Sequence, residues 1–154
     1  KNVLDNADLE TWDVPNQSPS GWVLGGQGPA VARDDKNTKT GGTYSATLST
    51  LLARGHVFLD QRVAAAPYAG RTITLGAWVK DEYGNGHVQI LDFVADNHES
   101  SSVTSEWTDD TGWRFLTATK TIRPGARLIV FRLGVGAVKG VSVTFDGSTA
   151  VVVE

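Results

Sequence analysis

Short runs of alternating apolar and polar residues, closed by turn residues, recur along almost the whole chain. Runs of this kind, rich in Val and Thr, are typical of half-buried β-strands, because successive side chains point to opposite faces. The runs are GWVLGG, TYSATLSTLL, HVFLDQRVAA, RTITLGAWVK, HVQILDFVA, SSVTSEW, WRFLTATKTI, RLIVFRLGV and VSVTFDGSTAVVVE. Only STLLARGHVFL has the look of a helix, and Gly55 interrupts it. Roughly nine or ten strands at this spacing predict an all-β sandwich or barrel.

Two segments between these runs have the composition of loops. PAVARDDKNTKTGG (residues 29–42) is expected to be a loop, because it clusters Asp, Asn, Thr and Gly. GVGAVKG (residues 134–140) is rich in Gly, which predicts a loop or a bulge before the last strand. No internal repeat, low-complexity tract or linker interrupts the pattern, so a single domain over residues 1–154 is predicted.

The composition excludes several classes of function. With 154 residues, 40% of them hydrophobic and 20% charged, the chain is globular and can bury a core. Its net charge is −3 and it has no run of Lys or Arg, so we expect neither nucleic acid nor an anionic membrane as the main partner. No apolar run reaches the ~18–20 residues that a membrane span needs. Because Cys is absent, disulfides and cysteine nucleophiles are excluded. The chain opens with Lys1 and no signal-peptide pattern, so we expect a mature or excised fragment.

The largest apolar side chain of TITLGAWVK falls on the unexpected face of its strand. With a period of two, Ile73, Leu75, Ala77 and Val79 share one face, and Trp78 lies opposite among Thr and Lys residues. Five Trp is a high count for this length, and each large indole needs a structural or functional reason.

The order of several motifs resembles the carbohydrate-binding modules of the jelly-roll superfamily, typified by families 4, 9, 16 and 22 (galactose-binding-domain-like). The matching segments are NADLETW (residues 6–12), SPSGW (18–22), TGGTYSATLS (40–49), DQRVAAAPYAGRTITLGAWVK (60–80), GWRFLTATKTIRPG (112–125) and VSVTFDGSTAVVVE (141–154). The resemblance implies a β-sandwich jelly roll of two antiparallel sheets. It also implies that Trp12, Trp22 and Trp113 are packing residues.

As to function, the resemblance implies a non-catalytic module that binds a polysaccharide or glycan in a shallow groove on the concave sheet. The alternative is a structural, assembly or adhesion domain of a virus or phage particle, which uses the same fold for contacts with other virion or cell-surface proteins. Either function implies an extracellular location or a virion surface.

Side-chain alternation selects candidates for the groove. It sends Trp78 and Arg132 outward, and in HVFLDQRV it places His56, Phe58, Asp60 and Arg62 outside. In HVQILDFV either face is possible, and Asp92 hints at a bulge or the end of the strand. An indole can pack on the C–H face of a pyranose, while amide, carboxylate and guanidinium groups bond its hydroxyls. The expected carbohydrate-binding residues are Trp78, Gln89, Arg132, Asp60 and Arg62, with Tyr83 and Trp107 from neighbouring loops. In the alternative interpretation, Trp78 packs under a loop and Trp107 folds back on the sheet.

The resemblance also implies a structural calcium ion. The matching positions are Glu10 and Asp146, with Asp8 (by its carbonyl) and Thr43 as companions and Lys39 as a further candidate; hard oxygen ligands of this kind suit Ca²⁺. In the alternative, these are ordinary surface carboxylates, and Gly147 stands where the family has a second Asp.

No catalytic constellation is recognised. Asp34-Asp35 and Asp109-Asp110 are adjacent in sequence and lie in turn-like segments, whereas glycoside hydrolysis needs two carboxylates facing each other across a cleft. The three histidines, His56, His87 and His98, have no metal-binding spacing. We therefore expect no enzyme; a hydrolase with an unrecognised site is the weakest alternative.

Overall fold

The computed structural model describes residues 1–14, 17–50, 56–81, 84–94, 99–106, 112–136 and 140–153. Their strands are β1 (Val23–Gly26), β2 (Pro29–Asp34), β3 (Ser45–Thr50), β4 (Val57–Ala64), β5 (Thr72–Lys80), β6 (Gly86–Val94), β7 (Glu99–Thr104), β8 (Trp113–Thr121), β9 (Ala126–Val135) and β10 (Ser142–Val153). A short 3₁₀ turn, Ala66–Tyr68, follows β4. In this part of the chain no helix is long and apolar enough to cross a membrane.

The strands form two antiparallel sheets of five strands each. One, the front sheet, has the order β1-β4-β9-β6-β7, and the other, the back sheet, has the order β2-β3-β10-β5-β8. Sequence neighbours such as β4 and β5 lie in different sheets, so the chain crosses repeatedly from one layer to the other. This arrangement confirms the predicted all-β jelly roll.

The core lies between the sheets and is built from the apolar faces that alternation selects. Ile73, Leu75, Ala77 and Val79 of β5 are fully buried. The inward face of β9 is equally buried and consists of Ile129, Phe131, Leu133 and Val135. Burial of such faces from both sheets is the main favourable term in the stability of a sandwich.

The segment PAVARD forms a strand although its sequence predicts a loop. Pro29 to Asp34 pair with β3 along its length, so β2 is an edge strand of the back sheet. An edge position tolerates proline. The prediction was wrong because pairing with β3 outweighs the local preference of this segment for a loop.

Strand β6 continues past Asp92, which lies inside the sandwich. The pairing with β9 shifts register between Phe93 and Val94, so the expected irregularity occurs just after Asp92. The Asp92 carboxylate is fully buried and lies 3.1 Å from the Lys120 Nζ of β8 and 2.6 Å from an Arg123 nitrogen. Burial by itself would raise the pKa of Asp92, but the hydrogen bonds from Arg123 and Lys120 outweigh it and lower the pKa.

Two of the expected packing tryptophans lie in the N-terminal segment, one in the core and one against it. Trp22 is buried, and its indole N–H donates to the Asn6 carbonyl at 3.1 Å. Trp12 packs partly buried against the core and donates to the Leu9 carbonyl at 2.6 Å. Trp113, by contrast, lies half-buried on β8 and is not part of the core cluster formed by the described residues.

Candidate functional site

The register of the front sheet places three predicted site residues in one row on its outer face. Asp60 of β4 pairs with Arg132 of β9, and Arg132 pairs with Gln89 of β6. Thr104 of β7 continues the row beyond Gln89. Because directly paired residues project to the same face, these polar side chains lie next to one another across the sheet.

Asp60 and Arg132 form a two-point ion pair. The Arg132 Nε and Nη2 groups donate to the two carboxylate oxygens of Asp60 at 2.8 and 2.9 Å. The guanidinium also lies over the Phe58 ring, 3.7 Å from its centroid. Asp60 is 6% exposed, so the pair is largely removed from water and its geometry is held tightly.

Two glycines let aromatic rings lie flat on the sheet in the adjacent row, which runs from Gly25 through Phe58 and Gly134 to His87. A Cβ on Gly25 would lie 2.5 Å from the Phe58 ring, and one on Gly134 would lie 2.6 Å from the His87 ring. Both positions therefore need the missing side chain. A glycine inside a strand often marks such a close approach, and this was the signal in the sequence that could have pointed to the two rings.

Residues from these two rows line part of a pocket of about 420 Å³ on the outer face of the front sheet. Its lining is His56, Val57, Phe58, His87, Gln89, Thr104, Arg132, Gly134 and Val135. The combination of apolar surface with an amide, a hydroxyl, an imidazole and a guanidinium suits a ligand that offers both C–H faces and hydroxyl groups. Side-chain alternation predicted that His56 and Phe58 lie on this face, but neither was predicted to bind a ligand. The orientation of His87 was left open, and Thr104 was not among the predicted site residues.

Burial keeps the pocket histidine His87 neutral. Removal from water lowers the pKa of His87 to about 4, and the nearby His56 and Arg132 act in the same direction, against a hydrogen bond with the Asn85 backbone that raises it. At neutral pH this imidazole therefore has one N–H donor and one acceptor nitrogen.

Arg62 lies outside this pocket, as the next outward residue of β4 after Asp60. Its side chain is exposed and lines a separate depression of about 500 Å³ with Asp5 and Gln61. The structure thus brings Asp60, Arg132 and Gln89 together but leaves Arg62 at their margin.

Trp78 does not share this site, and the expectation of one groove containing both Trp78 and Arg132 was wrong. Trp78 lies on β5 of the back sheet, whereas Arg132 lies on β9 of the front sheet, and both point away from the core. They therefore face opposite sides of the sandwich. Alternation predicted correctly that each side chain points outward, but it contains no information on which sheet a strand joins.

Trp78 instead belongs to an aromatic cluster on the outer face of the back sheet. Its ring meets Phe115 of β8 edge to face, with 5.3 Å between centroids, and the Lys39 ammonium lies 4.5 Å from the Trp78 ring centroid. Phe115 is 44% exposed and lies over Gly76, where an added Cβ would be 2.4 Å from its ring. Trp78 is thus half-buried beneath a lysine and beside a phenylalanine. The remaining two predicted binding residues, Tyr83 and Trp107, lie outside the described residues.

The two carboxylates expected to hold calcium, Asp146 and Glu10, bind the segment from Lys39 to Tyr44, which contains Thr43. The buried Asp146 carboxylate accepts from the backbone N–H groups of Lys39 at 2.8 Å and of Gly147 at 2.8 Å, one on each oxygen. Glu10 Oε2 accepts from the Tyr44 backbone N–H at 2.9 Å. Both carboxylates therefore connect this segment to the rest of the fold through hydrogen bonds.

Glu10 fits a cation better than Asp146 does. Its second oxygen, Oε1, is buried and has no hydrogen-bond partner within the described part of the chain, and it lies against Gly42, where a Cβ would come within 1.5 Å of it. Asp8, Glu10 and Thr43 line one open depression of about 910 Å³. No group of three or more His, Cys, Asp or Glu side chains among the described residues could hold a metal. A cation here would need hydroxyl and carbonyl oxygens besides Glu10.

The fold defines the class: a jelly-roll β-sandwich of the kind found in carbohydrate-binding modules, as the resemblance implied. The chain matches no protein-family model and no curated protein. Among solved structures it is similar to TmCBM61 in complex with β-1,4-galactotriose, at 19% identity and a TM-score of 0.63, over 99% of either chain. The C-terminal family 22 carbohydrate-binding module of Clostridium thermocellum Xyn10B is 13% identical with a TM-score of 0.65, over 97% of this chain and 96% of that one.

A viral protein shares the fold as well. Tailspike protein 4 of bacteriophage CBA120 is 16% identical with a TM-score of 0.73, and the match covers 99% of this chain. The chain spans only 21% of that tailspike domain. At these identities the likenesses establish the fold and leave the function to be argued from the site.

Proposed function

We propose that this domain is a non-catalytic carbohydrate-binding module that binds a glycan in the front-sheet pocket. The observation that carries the proposal is a pocket of about 420 Å³ in which Arg132 and Gln89 lie beside the rings of Phe58 and His87. Asp60 holds Arg132 in place from outside the pocket lining. A sugar ring would place its C–H face against the apolar wall, and Gln89, Thr104 and Arg132 would bond its hydroxyl groups. Affinity should be modest, because a shallow wet site offers few buried contacts per sugar.

The solved neighbours suggest which glycans to try first. One of them is a complex with β-1,4-galactotriose, and another is a xylan-binding domain. Retention of the domain on gels containing β-1,4-galactan or xylan is therefore the first measurement, followed by a wider glycan array. Failure to bind any glycan on either would refute the proposal.

The Gln89→Ala variant tests whether the pocket is the binding site. Gln89 is half-buried and belongs to the pocket lining, so loss of its amide should weaken glycan binding about tenfold, the value of one good hydrogen bond. Ser100→Ala is the matched control, because Ser100 is exposed on β7 of the same sheet and outside the pocket lining. Equal retention of both variants would place binding elsewhere.

The second candidate is an assembly or adhesion domain of a virus or phage particle, supported by the similarity to the tailspike. In this case the outer faces of the sheets would contact other virion or cell-surface proteins, and the site of action would be the virion surface. The mass in solution discriminates the two candidates: a defined trimer supports assembly, and a monomer supports a free-standing extracellular module.

We also propose a structural Ca²⁺ ion at Glu10. The buried oxygen of Glu10 that has no partner in the described residues supports it, and Asp8 and Thr43 line the same depression. The ion would connect the N-terminal segment to the loop that precedes β3 and would add stability rather than chemistry. Asp146 would contribute through the loop that it already binds.

A further inference from the structure

We infer that Asp60 makes the front-sheet pocket select uncharged glycans over glycans that carry carboxylates. The inference rests on the proposed function and adds the substrate class and the residue that determines it. Among the described residues, Arg132 is the one permanently charged side chain of the pocket lining, and in most sites an arginine of this kind would attract an anionic sugar.

Asp60 occupies one of the two edges of Arg132 that can bind a carboxylate through two N–H groups. The Nε and Nη2 groups form this edge, and both already donate to Asp60. One face of the guanidinium is covered by the Phe58 ring at 3.7 Å. A uronic acid would have to displace a buried carboxylate in order to obtain the same two bonds.

The ion pair also cancels the charge of the pocket. Asp60 is 6% exposed, and the Arg132 side chain is 23% exposed, so the negative charge is buried directly beside the positive one. A second carboxylate would meet a pair with no net charge and lose its own hydration in doing so. The Arg132 N–H groups that do not bind Asp60 can still donate to the hydroxyl oxygens of a neutral sugar, because such a hydrogen bond does not require a net charge in the pocket.

The neighbouring groups in the described part of the chain do not restore a positive pocket. Burial lowers the pKa of His87 to about 4, so it is neutral at physiological pH. Arg62 lies on the same face but lines a different depression, and His56 is exposed at the edge of the pocket. Removal of the Asp60 charge should therefore convert a neutral pocket into a cationic one.

The experiment compares β-1,4-galactan with the same polymer oxidised at C6 to the carboxylate, at pH 8 and low salt, for wild type and for Asp60→Asn. Asparagine keeps the shape of the side chain and removes its charge. We expect wild type to bind the neutral polymer at least tenfold more tightly, and D60N to shift the ratio about tenfold towards the oxidised polymer. The double variant D60N/R132Q, which is uncharged again, should return the ratio to that of wild type.

A titration with sodium acetate separates this inference from the proposed function. Followed by NMR at the Arg132 side-chain Nε–H signal, acetate should shift the resonance in D60N but not in wild type. If neither polymer binds while acetate still discriminates the two proteins, the glycan function fails and the role of Asp60 stands.

Several results would overturn the inference. If the wild-type protein binds the oxidised polymer more tightly than the neutral one, the inference is wrong, even if D60N does not fold. The inference is also wrong if acetate shifts the Arg132 Nε–H signal of the wild-type protein. A D60N variant that folds, judged by its melting curve, but keeps the wild-type ratio also contradicts it.

Discussion

Asp92 of the front sheet and Lys120 of the back sheet form an ion pair inside the sandwich, with 3.1 Å between the carboxylate and the ammonium. Arg123 binds the same carboxylate from the loop after β8, through its side chain and its backbone N–H. The two layers are thus connected by a buried charge cluster as well as by apolar contacts. Such a cluster costs desolvation, so the loss of one member leaves the others uncompensated.

Asp92→Asn should destabilise the fold by about 3–5 kcal/mol, because it leaves the 7% exposed Lys120 buried without its counter-charge. Lys120→Met should cost less, since Arg123 still pairs with Asp92. Urea unfolding of both variants measures the two values. A smaller loss in D92N than in K120M would contradict the assignment of Asp92 as the centre of the cluster.

Trp78→Ala should leave binding in the front-sheet pocket intact, because Trp78 lies on the outer face of the opposite sheet. It should lower stability by about 1–2 kcal/mol through the lost contacts with Phe115 and Lys39. Retention on the glycan gel and the melting temperature are the two measurements. Loss of retention with an unchanged melting temperature would instead make Trp78 a second glycan contact.

Acidification should destabilise the protein between about pH 6.5 and pH 4 because of His87. Its pKa is lowered from 6.5 to about 4, so in this range the unfolded state binds a proton that the folded state does not. The contribution of neutral His87 to the free energy of unfolding is fully present above pH 6.5, its pKa in the unfolded state. This contribution falls by on the order of 3 kcal/mol as the pH drops to about 4, the pKa of His87 in the folded state.

His87→Gln should flatten this part of the pH profile, whereas His56→Gln, at an exposed histidine of the same pocket, should leave the His87 slope in place. An unchanged slope in H87Q would argue against a neutral His87 in the folded protein.

Asp92 should cause a separate loss of stability at lower pH. Because the pKa of Asp92 is lowered in the fold, its contribution to stability is present above the ordinary pKa of 3.8 and disappears as the pH falls further.

Removal of calcium with EDTA should lower the melting temperature by roughly 3 °C or more, the shift that about 1 kcal/mol produces in a domain of this size. Glu10→Gln should lose this response, because the amide removes the charge of the buried oxygen that faces the proposed ion. Ser49→Ala, on β3 at a solvent-facing hydroxyl pair with Ser142, should retain it. A melting curve that is the same with and without EDTA would discard the ion.

Much of the fold could be predicted from local patterns, because a strand records in its own sequence which side chains face the core. The buried faces of β5 and β9 were predicted residue by residue, and the jelly roll followed from the order of the motifs. The strand PAVARD could not be predicted, since its pairing with β3 rather than its composition makes it a strand. The candidate site was predicted only in part: Asp60, Gln89 and Arg132 meet, but Phe58 and His87 depend on two glycines of neighbouring strands.

The sequence by itself determined that Trp78 and Arg132 both point away from the core, because alternation is a property of a single strand. Only the tertiary structure decided that they face opposite sides of the molecule, since sheet membership depends on pairings between strands that are distant in the chain. The same holds for the charge of the pocket. Asp60 and Arg132 lie 72 positions apart and cancel one another only because β4 and β9 are neighbours in the front sheet.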